Sequence, residues 1–386
     1  MTKETQKRRK KGEGSIYKKE NGTYVGRITV AGYEPFFCTG TSRKDVEKKL
    51  YAFRLKTLKR EIIPERVSVN DYISDWLVNV KKPSLKPASF DRLERTYLNH
   101  VKDSPVGRCQ LGNVSAMDVQ RLINSKTEKL SFSSVKKIYE LLNSCFAYAI
   151  ASRDLDYNPM SAVQMPKKEN LKKQTKEIRI FSREELEKIE KVSKIHYKSG
   201  KVRFKHVYLF ILLAHTGLRA GEALALTWED VDWQKRQIQV KRNASTIKNR
   251  DDDEEGKYKV IVTSVKTANG NRVVPLNDKA FEALLWLKNY QTTNTIESEF
   301  VVCTDSGKML GQKNLPLLLK TILAAAGVEY RNVHSFRHTF ATNLIAAGVD
   351  VKVVSQLLGH SSVKITMDTY VHPGMDMAVD AVNRLN

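Results

Sequence analysis

The chain has 386 residues, enough for two or three domains with packed cores, and its formal net charge at pH 7 is +23, from 66 Lys+Arg against 43 Asp+Glu. With 41% hydrophobic residues, this basic excess indicates a folded protein whose partner is a polyanion, most simply nucleic acid; no basic amphipathic helix favours a membrane surface. The longest apolar run, at residues 207–214, is too short to cross a bilayer, and no secretory signal is evident. The four cysteines are scattered and form no zinc-binding or disulfide pattern, so we expect a cytoplasmic protein.

The chain opens with a predicted flexible basic arm at residues 1–12, followed by a small α+β domain at residues 13–63. Alternating apolar residues in that domain predict three short antiparallel strands, at residues 15–17, 23–30 and 33–37. A capping pattern at Ser42 predicts a Lys/Arg-rich helix to about Arg60. Small sheets can place a strand in a DNA groove. The candidate DNA contacts here are Lys18, Lys19 and Arg27.

Residues 64–160 have the pattern of an all-α domain. Apolar stripes and capping serines predict four helices, at about 68–80, 89–101, 115–124 and 133–151. A packed core explains the stripes, and the opposite faces are basic, as expected of a helical module that lies on a duplex. The candidate DNA contacts on those faces are Lys81, Lys82, Lys86, Arg92, Arg95, Lys136 and Lys137.

The clearest domain boundary is a basic linker at residues 161–180. A flexible cationic segment can pass over phosphates at little structural cost, which makes its lysines candidates for DNA contact. These candidates are Lys167, Lys168, Lys172 and Lys173. A third domain is predicted at residues 181–373, because Ser182 and Glu185 form a capping box where it begins.

Within the third domain, Arg219 and Glu222 are spaced i, i+3, so the carboxylate can hold the guanidinium in place. Taken alone, such a pair is more often an exposed ion pair. Strands are predicted at residues 237–240, 257–265 and 272–275. The last two are interpreted as a hairpin with Lys266 at its turn, and the acidic run at 251–255 as an exposed insertion that points away from DNA.

The densest group of chemically capable side chains lies towards the end of the chain. It comprises His334, Arg337, His338, His360 and Tyr370. The first three share one face of a predicted helix at 335–347. A second predicted helix, 351–358, stops at Gly359, which puts His360 on a turn. A short helix capped by Ser361 or Ser362 carries Tyr370. Each residue alone is more often structural, but together they suit phosphate chemistry.

Four motifs in this order closely resemble the tyrosine recombinase (phage integrase) family. They are Thr216-Gly-Leu-Arg-Ala-Gly-Glu222, His334-Ser-Phe-Arg-His338, Leu357-Leu-Gly-His-Ser361 and Tyr370 ten residues after His360. The resemblance covers about residues 14–386 and implies the tyrosine recombinase fold. That fold is multidomain α+β: an arm-binding domain with a three-stranded sheet and one helix, an all-α core-binding domain, and a mainly α catalytic domain with a small antiparallel sheet.

The resemblance also implies a bacterial, nucleoid-associated integrase of a temperate phage or conjugative transposon, which integrates and excises a mobile element. Arg219 and Arg337 match the two arginines that bind the scissile phosphate in this family, and His360 matches a third phosphate ligand. Planar guanidinium groups suit phosphate oxygens, whose charge increases in the transition state. Glu222 is expected in a supporting position beside Arg219.

Tyr370 matches the family's nucleophile, which forms a 3′-phosphotyrosyl intermediate. His334 is expected to accept the phenolic proton or to bond the phosphate, His338 to support it, and Lys266 to protonate the departing 5′-oxygen. One phosphoester replaces another, so no ATP is expected. No acidic cluster indicates a metal, and no cofactor is expected.

Segments and partners beyond the site are also implied by the resemblance. The tail at residues 374–386 would dock on a neighbouring protomer in a homotetramer on DNA. The expected partners are double-stranded DNA with core and arm sites, an excisionase and a host DNA-bending protein. No membrane partner is expected. Two alternatives are a relaxing enzyme similar to type IB topoisomerases and a non-catalytic architectural DNA-binding protein whose site has decayed.

Overall fold

The computed structural model describes residues 14–30, 34–58, 67–171, 179–250, 257–265 and 268–370. The predicted features outside these ranges are the basic arm, the acidic run, the C-terminal tail and the candidate residues Lys172, Lys173 and Lys266. The chain divides into two compact units, Met1–Lys176 and Glu177–Asn386. None of the helices in the described ranges has the length and apolar character needed to cross a lipid bilayer.

The first unit begins with a three-stranded antiparallel sheet whose strands neighbour one another in chain order. The strands are β1 (Ser15–Lys18), β2 (Tyr24–Ile28) and β3 (Phe36–Gly40). Helix α1 (Arg43–Leu58) packs against the sheet through a small core that contains Ile28, Val46 and Leu50. The predicted cap is confirmed, because the Asp45 N–H donates to Ser42 Oγ at 3.2 Å.

The third strand lies further along the chain than the alternation of residues predicts. It begins at Phe36, whereas the prediction placed it at residues 33–37, and Glu34 and Pro35 precede it. A proline has no N–H to donate to a neighbouring strand, so the hydrogen-bonded pairing of β3 with β2 begins after Pro35. The resulting register sets Arg27 opposite Phe37.

The remaining described part of the first unit is a helical module with one apolar core. Helix α2 (Val69–Trp76) continues through a π-helical turn, Leu77–Lys81, into the single turn α3 (Lys82–Ser84). It is followed by α4 (Pro87–His100), the short α5 (Pro105–Arg108), α6 (Ala116–Thr127) and α7 (Phe132–Ala151). The capping boxes predicted at Ser68 and Ser115 are confirmed. The four predicted helices are therefore present, and α5 is an addition.

The second unit contains eight helices in its described residues. They are α8 (Arg183–Lys191), α9 (Val207–Thr216), α10 (Ala220–Leu224), α11 (Asp278–Thr293), α12 (Leu315–Ala326), α13 (His334–Ala346), α14 (Val351–Leu358) and α15 (Val363–Tyr370). The capping box predicted at Ser182 is confirmed. Phe336 stacks on Phe181 and Phe210 with ring centroids 4.4 and 5.5 Å away. Because burying each ring stabilises the fold by roughly 1.5–3 kcal/mol, this stack fixes α13 in the core.

Two small antiparallel sheets complete the described part of this unit. One contains β4 (Val231–Asp232), β5 (Gln237–Val240) and β8 (Arg272–Pro275), and the other contains β6 (Arg242–Lys248) and β7 (Tyr258–Ser264). The hairpin predicted from residues 257–265 and 272–275 is wrong, because β7 pairs with β6 and β8 pairs with β5. Burial decides this pairing: Ile238, Val240 and Val274 join the main core.

Candidate active site

The first element of the candidate site is the turn between α9 and α10. Gly217 ends α9 with a φ of 63°, and Arg219 is the N-cap residue of α10. The Arg219 N–H donates to Glu222 Oε2 at 2.9 Å, and Nη1 donates to Oε1 at 2.7 Å. Glu222 is buried, with 4% of its surface exposed, so this is not the exposed ion pair that the spacing alone favours.

Arg337 lies on α13 and is the largest fully buried side chain in the described residues. Its Nη1 donates to the Gly217 carbonyl at 2.8 Å and its Nη2 to the Leu358 carbonyl at 2.7 Å. Burial, and then the charge of Arg219, lowers the pKa of Arg337 to about 9. Because this value is still above neutrality, the guanidinium is a cation at pH 7 and joins the end of α9 to the end of α14.

His360 follows the left-handed residue Gly359, as the sequence predicts. Its Nδ1 lies 2.8 Å from Oγ1 of Thr366, which is fully buried, and Arg219 Nη2 donates to the Gly359 carbonyl at 3.2 Å. Desolvation, and then the charge of Arg337, lowers the pKa of His360 to about 4. A neutral ring held through Nδ1 can offer Nε2 to a phosphate oxygen.

The tyrosine lies at the end of α15 and is held by a histidine. The Tyr370 hydroxyl is 2.8 Å from Nδ1 of His338, and the His334 ring meets the His338 ring edge-on with centroids 4.6 Å apart. Burial raises the pKa of Tyr370, although Arg337 and Arg219 oppose it. Burial, and then Arg337, lowers the pKa of His338. A protonated phenol therefore meets a neutral imidazole, and the phenol donates to Nδ1 when the imidazole carries its proton on Nε2. His338, which the sequence places in a supporting position, is closer to the hydroxyl than predicted.

Sequence analysis missed one charged residue in this group. Arg272, at the start of β8, is 9% exposed and donates to both oxygens of Glu222, from Nη2 at 2.8 Å and from Nη1 at 3.3 Å. One signal could have revealed it. In a strand, alternate residues share a face, so Arg272 shares a face with the buried Val274, and a buried cation requires a partner.

The candidate DNA-contacting residues of the first unit fall into separate groups. Lys81, Arg92 and Lys137 line one groove of about 500 Å³, in which the Lys81 ammonium lies 4.9 Å from the Trp76 ring centre. In the sheet, Arg27 lies over Phe37. The other described candidates are exposed and do not line this groove; they are Lys18, Lys19, Lys82, Lys86, Arg95, Lys136, Lys167 and Lys168. Within the described ranges, no group of three or more His, Cys, Asp or Glu side chains could hold a metal ion.

Known proteins are similar to this chain over most of its length. Residues 179–376 match the family model described as phage integrase family. A "Tyrosine recombinase XerC-like" protein of Caldanaerobacter subterraneus subsp. tengcongensis is 34% identical over 333 residues, which cover 83% of each chain. The ICEBs1 integrase of Bacillus subtilis is 27% identical over 377 residues, which cover 93% of this chain and 95% of the relative.

Solved structures share the fold at low sequence identity. The Tn1549 transposon integrase in complex with a circular intermediate DNA superposes with a TM-score of 0.67 at 20% identity, covering 83% of this chain and all of that one. A lambda integrase tetramer bound to a Holliday junction gives a TM-score of 0.56 at 15% identity, covering 94% and 96% of the two chains. The predicted fold class is confirmed.

Proposed function

From the premise that the chain belongs to the phage integrase family and is a site-specific tyrosine recombinase of a phage or conjugative transposon, we propose that Tyr370 cleaves and rejoins DNA through a 3′-phosphotyrosyl intermediate. The observation that carries this proposal is the 2.8 Å contact between the Tyr370 hydroxyl and His338 Nδ1, at a site with two arginines. Family membership favours recombination over the relaxing and architectural alternatives.

Phosphate binding comes first in the proposed reaction. A guanidinium has five N–H groups, and the two carbonyl bonds of Arg337 leave three of them for phosphate oxygens. Arg219 is held by Glu222 and offers its remaining N–H groups to the same phosphodiester, which His360 contacts through Nε2. The two guanidinium cations neutralise the charge that increases as the phosphorus becomes pentacoordinate.

Cleavage and rejoining then follow from proton transfer. The phenolic oxygen bonds to phosphorus while its proton passes to His338, with His334 beside that imidazole. The bond from phosphorus to the 5′-oxygen breaks, and Lys266 gives that oxygen a proton. The products are a 3′-phosphotyrosyl end and a free 5′-hydroxyl, and attack by a 5′-hydroxyl from another strand reverses the step and rejoins DNA. Because one phosphoester replaces another, neither ATP nor a metal ion is needed.

The domains have separate proposed roles. Residues 13–63 bind arm sites, residues 64–160 bind the core site, residues 181–373 carry out the chemistry, and the segments 1–12 and 161–180 contact phosphates. The active assembly is a homotetramer on double-stranded DNA, linked by residues 374–386. An excisionase and a host DNA-bending protein set the direction of recombination, and the protein works on the bacterial nucleoid.

A nicked suicide substrate tests the proposal. The wild-type protein should form a covalent, protease-sensitive adduct with DNA in the presence of EDTA and without ATP, because the nick lets the 5′-hydroxyl fragment diffuse away before rejoining. Tyr370→Phe should form no adduct and still bind DNA. The control Tyr197→Phe changes an exposed tyrosine and should react as the wild type does. Absence of an adduct with the wild type, or an adduct with Tyr370→Phe, would contradict the proposal.

A further inference from the structure

Arg272 is the buried arginine that the proposed chemistry does not use. Besides its two bonds to Glu222, its Nε donates to the Leu357 carbonyl at 2.6 Å and its Nη1 to the Gly270 carbonyl at 3.2 Å. Leu357 lies at the end of α14, just before the turn that carries His360. One guanidinium therefore joins α10, α14 and the segment that follows Lys266.

Glu222 is shared between two arginines. Its Oε1 accepts from Arg219 at 2.7 Å and from Arg272 at 3.3 Å, and its Oε2 accepts from Arg272 at 2.8 Å and from the Arg219 N–H at 2.9 Å. Burial alone would raise the pKa of Glu222, but the hydrogen bond and charge of Arg272, with Arg219, hold this pKa below its usual value. The carboxylate is therefore ionised, and without Arg272 its whole charge would fall on Arg219.

The charge balance of the site depends on this sharing. Apart from Lys266, which lies outside the described residues, the site has three guanidinium groups, of Arg219, Arg272 and Arg337, and one carboxylate, of Glu222, and these four groups have a net charge of two positive. A phosphodiester carries one negative charge, and its pentacoordinate intermediate carries two. Removal of Arg272 would leave a net charge of one, which matches the bound substrate but not the intermediate.

The same side chain also holds the turn on which His360 lies. A Cβ on Gly359 would lie 2.8 Å from Arg272 Nη1 and 2.9 Å from the Asn269 carbonyl, so the turn and β8 approach closely. Asn269 Nδ2 donates to the His360 carbonyl at 3.1 Å. The described end of the connection between β7 and β8, which contains Lys266, is thus attached to the His360 turn.

We infer that Arg272 is a positioning residue for DNA cleavage: it takes up part of the Glu222 charge so that Arg219 can act on phosphate, and it holds Gly270, in the described end of the connection between β7 and β8, against the end of α14 that precedes His360. This inference rests on the proposed function. Arg272 acts through Glu222 and the backbone and need not contact DNA.

The first test separates cleavage from binding. Arg272→Gln should lower the single-turnover cleavage rate of the suicide substrate about 10- to 1,000-fold, as loss of a preorganised charge at a reaction centre does, and should leave the Kd for core-site DNA within about threefold. Arg272→Lys should recover part of the rate. The matched control Arg242→Gln also removes an arginine from a buried carboxylate, Asp230, and should cleave at the wild-type rate.

The second test distinguishes charge sharing from a structural role. Glu222→Gln combined with Arg272→Gln restores the net charge of two, so this double variant should cleave faster than Arg272→Gln alone. The inference is overturned if the double variant is no faster, if Arg272→Gln cleaves as the wild type does, or if it loses DNA binding in parallel.

If Arg272→Gln fails to fold, Arg272→Lys tests the role of Arg272 in cleavage. A lysine has a single ammonium nitrogen, whereas Arg272 bonds Glu222 and two carbonyls from three separate nitrogens. Arg272→Lys should therefore cleave more slowly at unchanged Kd, and a wild-type rate would refute the inference. If the proposed function itself is wrong, the wild-type protein will form no adduct with the suicide substrate, which distinguishes that failure from failure of the inference about Arg272.

Discussion

At the scale of single residues, the site is organised by pairs of side chains that are far apart in sequence. Glu222 and Arg272 meet although they belong to different secondary-structure elements, and His338 meets Tyr370 across two helices. Arg337 is fixed by carbonyls at the ends of α9 and α14. The cations are therefore held in position by backbone and carboxylate groups of the protein itself, which is the condition for electrostatic preorganisation.

Removal of each of the two histidines next to Tyr370 should change the cleavage rate by a different amount. Because His338 contacts the hydroxyl directly, His338→Ala should lower the cleavage rate by about 100-fold or more, the usual contribution of a positioned base, and His334→Ala should lower it less. The exposed His196 supplies the control, His196→Ala, with an unchanged rate. Single-turnover cleavage measures all three. A larger loss from His334→Ala than from His338→Ala would reassign the base.

The same proposal predicts the pH dependence. His338 must be neutral to accept the proton, and burial lowers its pKa, so the wild-type cleavage rate should be lost only as the pH falls below the ordinary imidazole range near about 6.5. The acid limb of the pH–rate profile measures this value. An acid limb above that range would contradict a neutral, desolvated base.

At the scale of elements, short helices ended by left-handed glycines place the site residues. Gly217 ends α9 just before Arg219, and Gly359 ends α14 just before His360. Glycine adopts positive φ without the steric cost that a Cβ imposes. In both places the chain turns sharply and presents, directly after a helix, a side chain that we propose binds phosphate.

Substitution of Gly359 should damage chemistry as well as stability. Gly359→Ala and Gly348→Ala both place a Cβ at positive φ, which should cost about 1 kcal/mol in the free energy of unfolding at Gly348 and more at Gly359. Only at Gly359 would the Cβ meet Arg272 and Asn269, because nothing lies within 4 Å of a Cβ on Gly348. Cleavage should therefore fall in the first variant alone, as measured beside a denaturant melt. Equal cleavage rates for the two variants would show that the close approach is unimportant.

At the scale of the whole molecule, the chain combines a first unit that holds a small sheet and a helical module with a second unit that holds the candidate active site. The groove lined by Lys81, Arg92 and Lys137 lies on that helical module, where the proposal requires contact with the core site. Exposed cations elsewhere in the first unit fit a surface that follows a phosphate backbone.

Assembly is tested by shortening the chain. Removal of the residues after Pro373 should leave core-site binding within about threefold, because the described cations remain. It should abolish strand exchange between two sites, because we propose that these residues link neighbouring protomers. Gel-shift titration and a recombination assay measure the two effects. Unchanged recombination by the truncated chain would refute the role of the tail.

The sequence by itself determined the order of the helices, their caps at Ser68, Ser115 and Ser182, the fold class, and the group of arginines, histidines and tyrosine. These follow from interactions within a few residues: capping bonds, helical periodicity and spaced motifs. Only the tertiary structure decided that β8 pairs with β5, that Arg272 shares Glu222 with Arg219, and that His338 meets Tyr370. Such partners are chosen by burial between distant segments, since a buried strand or charge takes whichever partner the packed core brings within reach, and local patterns do not contain that information.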